Sequence, residues 1–174
     1  IIRSLYNISD GLPQIVYLVG HQAGGHDARY PTLAGGVNPN LGTDEQLRRL
    51  FHACKEKYNT ILSYHTNLDD AYRRSADWDD RYVVPSGSPG PDGVGIYGSV
   101  CHTTDVETGG IFRRLEELLD SFPLEKTLHV DNLRLTNTVN RAGWENIGIL
   151  EELVCGLIPV MDWLNERGIT VTTE

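Results

Sequence analysis

The chain has 174 residues, of which 40% are hydrophobic and 22% are charged, and it carries a net charge of −9. This composition is typical of a globular chain that is long enough to build one hydrophobic core. The acidic balance argues against nucleic acid or anionic lipid as the main partner, and no apolar run approaches the ~20 residues that cross a bilayer. We therefore expect neither nucleic-acid binding nor membrane insertion.

The first predicted strand is the apolar run 14–20. A loop rich in Gly and Pro follows over residues 21–42, and loops of this length in a compact domain are usually functional. Thr43 and Gln46 form a capping box, since Thr43 can accept from the third helical amide and Gln46 can reach back to the cap. Apolar residues then follow at helical spacing: Leu47, Leu50, Phe51 and Cys54. The pattern predicts a helix with one buried face.

A second predicted strand covers residues 60–67 and ends in a polar group made of His65, Asn67, Asp69 and Asp70. The stretch 71–98 has no helical period and is dense in Pro, Gly and Asp, so we interpret it as a long excursion over the same face. Residues 111–122 then show one apolar and one charged side, which predicts another helix.

The third predicted strand, 127–132, ends on Asp131. Residues 144–166 are helical in pattern, and Pro159 is expected to kink or divide that helix because proline has no amide hydrogen. Gly168 is a plausible helix cap, and the β-branched run that follows it ends on Glu174. Two strands therefore end on a carboxylate.

The order β-α-β-α-β-α-β implies parallel pairing through right-handed crossovers. A doubly wound sheet would favour a short glycine-rich phosphate turn after the first strand, and the turn at 20–27 lacks the GxGxxG spacing. A (β/α)8 TIM-type barrel instead tolerates long loops and gathers polar residues from several strand ends. We predict that residues 1–174 are a single α/β domain, with about four β/α units of such a barrel.

A partial barrel needs further strands to close it. The chain starts at Ile1 without an initiator Met, so we expect it to be a piece of a longer protein. An open parallel sheet leaves exposed edges and half a core. The remainder of the parent chain, or a second copy, would be needed to close the barrel.

Asp131 and Glu174 are the candidate catalytic pair. Neighbouring parallel strands are ~4.8 Å apart, which suits the ~5–5.5 Å between the carboxyl groups of a retaining glycosidase. Asp is the shorter and more rigid nucleophile, and Glu has the reach and the slightly higher intrinsic pKa of a general acid. The alternative is that each carboxylate caps a helix or pairs with an arginine such as Arg134 or Arg141.

Four groups of motifs support a more specific interpretation. They are Val16-Tyr17-Leu18-Val19-Gly20-His21-Gln22 with Gly25-His26-Asp27 and Tyr30-Pro31, Ser63-Tyr64-His65-Thr66-Asn67 with Asp69-Asp70-Ala71-Tyr72, Leu128-His129-Val130-Asp131, and Gly168-Ile169-Thr170-Val171-Thr172-Thr173-Glu174. Together they resemble the catalytic barrel of the endo-α-N-acetylgalactosaminidase family of glycoside hydrolases. The last two groups resemble that family's nucleophile and acid/base strands.

The resemblance implies a retaining, cofactor-independent enzyme with Asp131 as nucleophile and Glu174 as acid/base. Its substrate would be an O-glycosylated protein or glycan, from which it removes α-linked N-acetylgalactosamine or galactosyl-β-1,3-N-acetylgalactosamine at Ser or Thr. Mucin-type substrates imply a secreted or cell-surface parent protein. The residues expected to bind the substrate are Asp27, His26, His65, Asn67, Asp70, Asn132 and Tyr97.

The chain departs from the family pattern where an aromatic ring covers the sugar. The family places tryptophans in that loop, whereas residues 85–102 offer only Tyr97, and His21 stands where a tryptophan is usual. Tyr97 or Trp78 is expected to supply the sugar platform.

Two other classes of function remain open from the sequence. A metal-dependent carbohydrate hydrolase or deacetylase would require a cation among His26, Asp27, His65 and Asp131. No histidine lies in an HExxH motif, so we expect no catalytic metal. A non-catalytic, carbohydrate-binding half-barrel is the third hypothesis.

Overall fold

The structure is a computed structural model that describes residues 1–89, 96–131, 133 and 148–174. The helices are α1 (Ile2–Ile8), α2 (Asp44–Tyr58), α3 (His102–Glu107), α4 (Gly110–Ser121), α5 (Ile149–Glu151) and α6 (Ile158–Glu166), with a π-helical segment, Glu152–Leu157, between the last two. The strands are β1 (Gln14–Leu18), β2 (Thr60–Asn67), β3 (Asp70–Tyr72), β4 (Val83–Pro89), β5 (Ile96–Val100), β6 (Thr127–Asp131) and β7 (Thr170–Thr173). None of these helices is long and apolar enough to cross a bilayer.

Four of the strands form one parallel sheet in the order β1-β2-β6-β7. Helix α2 connects β1 to β2, α3 and α4 precede β6, and α6 precedes β7. The four predicted strands are therefore confirmed, as is the parallel α/β architecture of a partial barrel. All four strands point their carboxyl ends to the same edge, which is where barrels of this type place their active sites.

The sheet has one apolar face and one polar face because successive side chains alternate. The helix-facing residues of the central strands belong to the main core, where they meet α2, α4 and α6: Leu62 and Tyr64 on β2, and Leu128 and Val130 on β6. On the opposite face, Ser63 donates to the carbonyl of Thr127, and the rings of His65 and His129 stack. This opposite face corresponds to the barrel interior.

Helix α2 begins as the sequence predicts. Thr43 accepts from the Gln46 amide at 3.2 Å, and the Gln46 side chain accepts from the Thr43 amide at 2.9 Å. The apolar stripe buries Phe51 and Cys54 against the sheet. The helix ends at Asn59, which adopts a left-handed conformation with φ 46°, and β2 starts at the next residue.

No strands were predicted for residues 71–98, which the sequence indicated only as a long excursion. This region forms the strands β3, β4 and β5, which pair antiparallel in the order β3-β5-β4 and cover a small core of Ala71, Tyr82, Val83 and Val100. The strands are short, and the pairing of β4 with β5 shifts register between Pro85 and Pro89. Strands interrupted in this way leave no clear period-2 pattern. The short helices α1 and α3 were also not predicted.

The chain before β7 follows the predicted division at Pro159. The π-helical segment Glu152–Leu157 ends just before Pro159, which lies in the first turn of α6. A wider turn here accommodates a residue that cannot donate the usual helical hydrogen bond. After α6, Gly168 has φ +73° and donates to the carbonyl of Asn165. Glycine is the residue that adopts this conformation without strain.

Candidate active site

Both predicted catalytic carboxylates lie at the carboxyl edge of the parallel sheet. Asp131 is the last residue of β6, and its Cα partner on β2 is Asn67. The β6–β7 ladder ends with the pair Val130 and Thr173. Asp131 and Glu174 are the next residues after this pair, one on each of the two neighbouring chain segments. The Asp131 side chain is 25% exposed, and Glu174 is exposed.

His65 lies close to both carboxylates. Its Nε2 atom lies 3.8 Å from Oδ2 of Asp131. One ring nitrogen each of His65 and His129, and a carboxylate oxygen of Glu174, lie within 4.8 Å of one another. Burial is the main cause that lowers the pKa of His65, and the nearby Asp131 charge opposes it. The structure therefore brings Asp131, Glu174 and a neutral imidazole to one place.

Aromatic rings form a row beneath these groups on the interior face of the sheet. The ring of His129 lies 5.2 Å from that of His65 and 5.2 Å from that of Tyr17, and His26 lies 5.5 Å from His65 on the other side. Thr172 on β7 holds His129 through a 3.0 Å contact between Oγ1 and Nδ1. His129 and Thr172 were not predicted as site residues from the sequence. Their signal was the period-2 spacing from Asp131 and Glu174.

Asn67 organises the turn that follows β2. Its Oδ1 atom accepts from the amides of Asp69 and Asp70, both at 2.8 Å, and its Nδ2 atom donates to Oδ2 of Asp70 at 3.0 Å. The hydroxyl of Tyr97 donates to the other oxygen of Asp70. Burial, followed by this bond to Asp70, raises the pKa of Tyr97. Asp70 is thus held in one orientation beside the strand that carries His65.

Asp27 lies in the long loop after β1, with φ 48°. Its Oδ2 atom is 3.1 Å from Nδ1 of His26, whose ring approaches His65. Oδ1 of Asp27 is buried and has no hydrogen-bond partner among the described residues. Burial is the main cause that raises the pKa of Tyr30, and Asp27 and Asp70 both add to it. The two carboxylates therefore approach the same phenol.

The structure groups most of the predicted site residues, with some exceptions. His26, Asp27, His65, Asn67, Asp70 and Tyr97 form the linked contacts described above. Asn132, Arg134 and Arg141 lie outside the described residues. His21 is buried between Tyr64 and Phe122 in the helix-facing core, and Trp78 packs on the small core under the antiparallel sheet.

The group of residues that could hold a metal differs from the one that the sequence alternative required. Among the described residues, the potential ligands that converge are His65, His129 and Glu174. That alternative instead required His26, Asp27, His65 and Asp131, two of which already pair with each other.

One family model and several solved structures match this chain. The family model described as endo-alpha-N-acetylgalactosaminidase, glycoside hydrolase family 101, matches residues 2–174. Solved structures of the alpha-N-acetylgalactosaminidase NagBb from Bifidobacterium bifidum are similar in fold: the complex with GalNAc and the ligand-free form both have a TM-score of 0.75 at 17% identity. The Gal-NHAc-DNJ complex has a TM-score of 0.74 at 16% identity.

The structural match covers nearly all of this chain but only part of each solved structure. In each case 99% of this chain is covered, against 28% of the GalNAc and Gal-NHAc-DNJ complexes and 29% of the ligand-free form. The chain therefore spans less than a third of the length of the structures that it resembles. No curated protein matches it.

Proposed function

Because the chain belongs to the endo-α-N-acetylgalactosaminidase family of glycoside hydrolases, we propose that it forms the catalytic part of a retaining glycosidase. The proposed substrates are O-glycans on Ser or Thr, from which α-linked N-acetylgalactosamine or galactosyl-β-1,3-N-acetylgalactosamine is released. The observation that carries this proposal is the convergence of Asp131 and Glu174 around His65. Adjacent strands set ~4.8 Å apart suit the short carboxyl spacing of a retaining enzyme.

In the first proposed step, Asp131 attacks the anomeric carbon while Glu174 gives a proton to the leaving glycosidic oxygen. The bond from the sugar to Ser or Thr breaks, and a covalent glycosyl ester forms on Asp131. In the second step Glu174, now a carboxylate, removes a proton from water, and the oxygen of that water attacks the same carbon. The bond between this carbon and the Asp131 oxygen breaks, which releases the sugar with its α configuration and leaves Asp131 as a carboxylate and Glu174 protonated.

Substrate binding is assigned to the polar residues beside this pair. The buried Oδ1 of Asp27 lacks a donor among the described residues, so a sugar hydroxyl can supply one. The rings of His26 and His65, 5.5 Å apart, offer nitrogens as further hydrogen-bonding partners. Asn67 and Tyr97 hold Asp70 in one orientation beside these groups. Tyr97 therefore contributes to substrate binding by positioning the carboxylate of Asp70.

The remainder of a longer chain, or a second copy, is proposed to close the barrel. Strand β1 is at one edge of the parallel sheet, and its neighbourhood exposes apolar surface: Ile15 and Val19 are each 54% exposed. An unpaired edge of this kind favours addition of another strand. We also propose that the parent protein is secreted or at the cell surface, since mucin-type substrates are found there.

The test uses the full-length protein with 4-nitrophenyl α-N-acetylgalactosaminide and with its galactosyl-β-1,3 derivative. The variants are Asp131→Asn and Glu174→Gln, with the exposed residues Asp120 and Glu166 giving the matched controls Asp120→Asn and Glu166→Gln. We expect both site variants to lose at least about 10²-fold in kcat, as removal of a general acid typically does, while both controls retain activity.

The outcome separates the parts of the proposal. With Asp131→Gly and azide, a rescued β-glycosyl azide would identify Asp131 as the nucleophile. With Glu174→Ala and azide, an α-glycosyl azide would identify the acid/base. Hydrolysis that survives Asp131→Asn contradicts the mechanism. Release from the monosaccharide substrate alone would remove the disaccharide specificity and leave the mechanism in place.

A further inference from the structure

Two imidazoles and a carboxylate converge from three neighbouring strands. His65 on β2 and His129 on β6 are Cα partners, and their rings stack 5.2 Å apart at 30°. Glu174 directly follows β7, which pairs with β6. One potential ligand atom from each residue lies within 4.8 Å of the other two. Strand pairing, rather than a flexible loop, therefore brings the two histidines together.

The ligand set has a definite metal preference. Two imidazole nitrogens and one carboxylate oxygen form a His₂Glu set, which is a common zinc site with a fourth position left for water. Calcium and magnesium prefer six or more oxygen ligands, so this set disfavours them. Zinc bonds of ~2.0–2.2 Å require the ligand atoms to move closer than 4.8 Å. Glu174 is exposed, and rotation of its side chain can provide that movement.

Each of the two histidines has a ring nitrogen that can bind a metal. His65 is only 9% exposed, and its Nδ1 atom has no hydrogen-bond partner within the described part of the chain. A buried polar atom without a partner is costly, and a metal would satisfy a ring nitrogen here. Thr172 contacts Nδ1 of His129 at 3.0 Å. When this hydroxyl accepts the Nδ1 proton, Nε2 keeps its lone pair, as in other metal sites with an oriented imidazole.

We infer that His65, His129 and Glu174 bind a zinc ion that inhibits the glycosidase. The inhibitory role rests on the function proposed above, in which Glu174 must carry a proton to the glycosidic oxygen. A carboxylate that is coordinated to zinc cannot hold that proton. The bound ion also occupies the space beside Asp131, where the sugar must enter. Inhibition is therefore reversible and competes with substrate.

The experiment measures zinc binding and activity separately in the full-length protein after treatment with a chelator. Zinc chloride is titrated against a chromophoric chelator, and cobalt chloride is added in parallel to follow visible absorption. The variants are His129→Phe, which keeps the ring, and His129→Asn, which keeps a polar group. His52 is exposed on α2, so His52→Phe is the matched control, and calcium chloride is the control ion.

We expect wild type and His52→Phe to bind one more zinc per chain than either His129 variant. Zinc should slow hydrolysis reversibly in wild type, and the chelator should restore the rate. Each rate is expressed relative to the metal-free rate of the same variant. On that scale, half-inhibition of the His129 variants should need at least about tenfold more zinc than half-inhibition of wild type. Calcium should have no such effect.

The possible failures are distinguishable. Equal zinc binding by wild type and both His129 variants overturns the site, whatever the activity. Hydrolysis that zinc does not slow overturns the inhibitory role. A binding difference in a protein that hydrolyses no α-N-acetylgalactosaminide supports the metal site and overturns the proposed glycosidase function. Circular dichroism confirms that the variants compared are folded.

Discussion

His65 and Asp131 face each other across the β2–β6 pair, with Nε2 of the imidazole 3.8 Å from Oδ2 of the carboxylate. The distance is too long for a hydrogen bond, but it places a neutral ring next to the proposed nucleophile. The ring of His65 stacks on that of His129 and lies tilted against that of His26. Its position therefore depends on three segments of the chain that are distant in sequence.

The first prediction concerns the nitrogen atoms of this ring. His65→Phe keeps an aromatic ring and removes both nitrogens, so we expect kcat/KM to fall by about tenfold, the equivalent of ~1.4 kcal/mol, because the carboxylate of Asp131 loses its polar neighbour. Most of the loss should be in kcat because Nε2 faces Asp131. Steady-state kinetics on the nitrophenyl substrates provide the measurement. An unchanged kcat/KM would remove His65 from the site.

The second prediction concerns the Asn67 turn. Asn67→Ala removes three hydrogen bonds to Asp69 and Asp70, which should destabilise the turn by roughly 2–4 kcal/mol. Hydrogen exchange should then become faster at the amides of these two residues, and KM should rise as Asp70 loses its orientation.

Asn67→Asp provides the matched comparison. The carboxylate can still accept from the amides of Asp69 and Asp70, so their protection from exchange should largely remain. It cannot donate to Oδ2 of Asp70 and adds a like charge beside it, so KM should still rise. Equal exchange rates in wild type and Asn67→Ala would contradict this account of the turn.

The elements that could be predicted from the sequence are those whose pattern is local. Strands β2 and β6 are apolar runs, and α2 carries both its capping residues, Thr43 and Gln46, and an apolar stripe. The positions of Asp131 and Glu174 at strand ends followed from the same patterns. The antiparallel strands could not be predicted because their pairing is non-local and is interrupted between Pro85 and Pro89.

The site was only partly predictable for a related reason. Motifs identified His26, Asp27, His65 and Asp70, but the contacts among them depend on how the loops fold back over the sheet. His129 was not predicted as a site residue, although it lies two residues before Asp131 in the same motif and on the same face of the sheet. His21 begins the loop that carries His26 and Asp27, yet its ring turns into the helix-facing core and lies against that of Tyr64.

The third prediction concerns Glu152, a buried carboxylate in the π-helical segment. It is 1% exposed and accepts from the amide of His102 at 2.6 Å, and from the amide and hydroxyl of Thr103 at 3.1 Å and 2.7 Å. These amides begin α3, which has no cap from its own N-terminal residue. Glu152 thus caps α3 from a segment about fifty residues away.

Glu152→Ala leaves two buried amides without an acceptor, so we expect a loss of at least about 3 kcal/mol. Amide exchange at His102 and Thr103 should become about 100-fold faster or more, which hydrogen exchange read by mass spectrometry can measure. Glu152→Gln keeps one oxygen and should lose less. The neighbouring exposed Glu151 gives the control Glu151→Ala. Loss of the same size in that control would refute the capping role.

The last prediction concerns acid stability and follows from the burial of His21. The ring is 3% exposed and lies 4.1 Å from the ring of Tyr64. Burial lowers the pKa of His21 from its ordinary value of 6.5 to about 4. The unfolded chain therefore binds a proton more readily than the folded chain between these two values. The stabilising contribution of the neutral ring is complete above pH ~6.5 and is lost as the pH falls towards 4, by up to about 3 kcal/mol.

His21→Phe keeps an aromatic ring in the same pocket and removes the titration. Its stability should therefore depend less on pH between 6.5 and 4 than that of wild type, whereas His52→Phe on the surface should retain the wild-type dependence. Hydrogen exchange of the β2 amides at several pH values, corrected for intrinsic exchange, measures this locally in the full-length protein. If wild type and His21→Phe lose protection in parallel as the pH falls, other groups control the acid sensitivity of this core. If protection of the β2 amides depends less on pH in His21→Phe than in wild type and His52→Phe, the helix-facing core holds His21 in its neutral form.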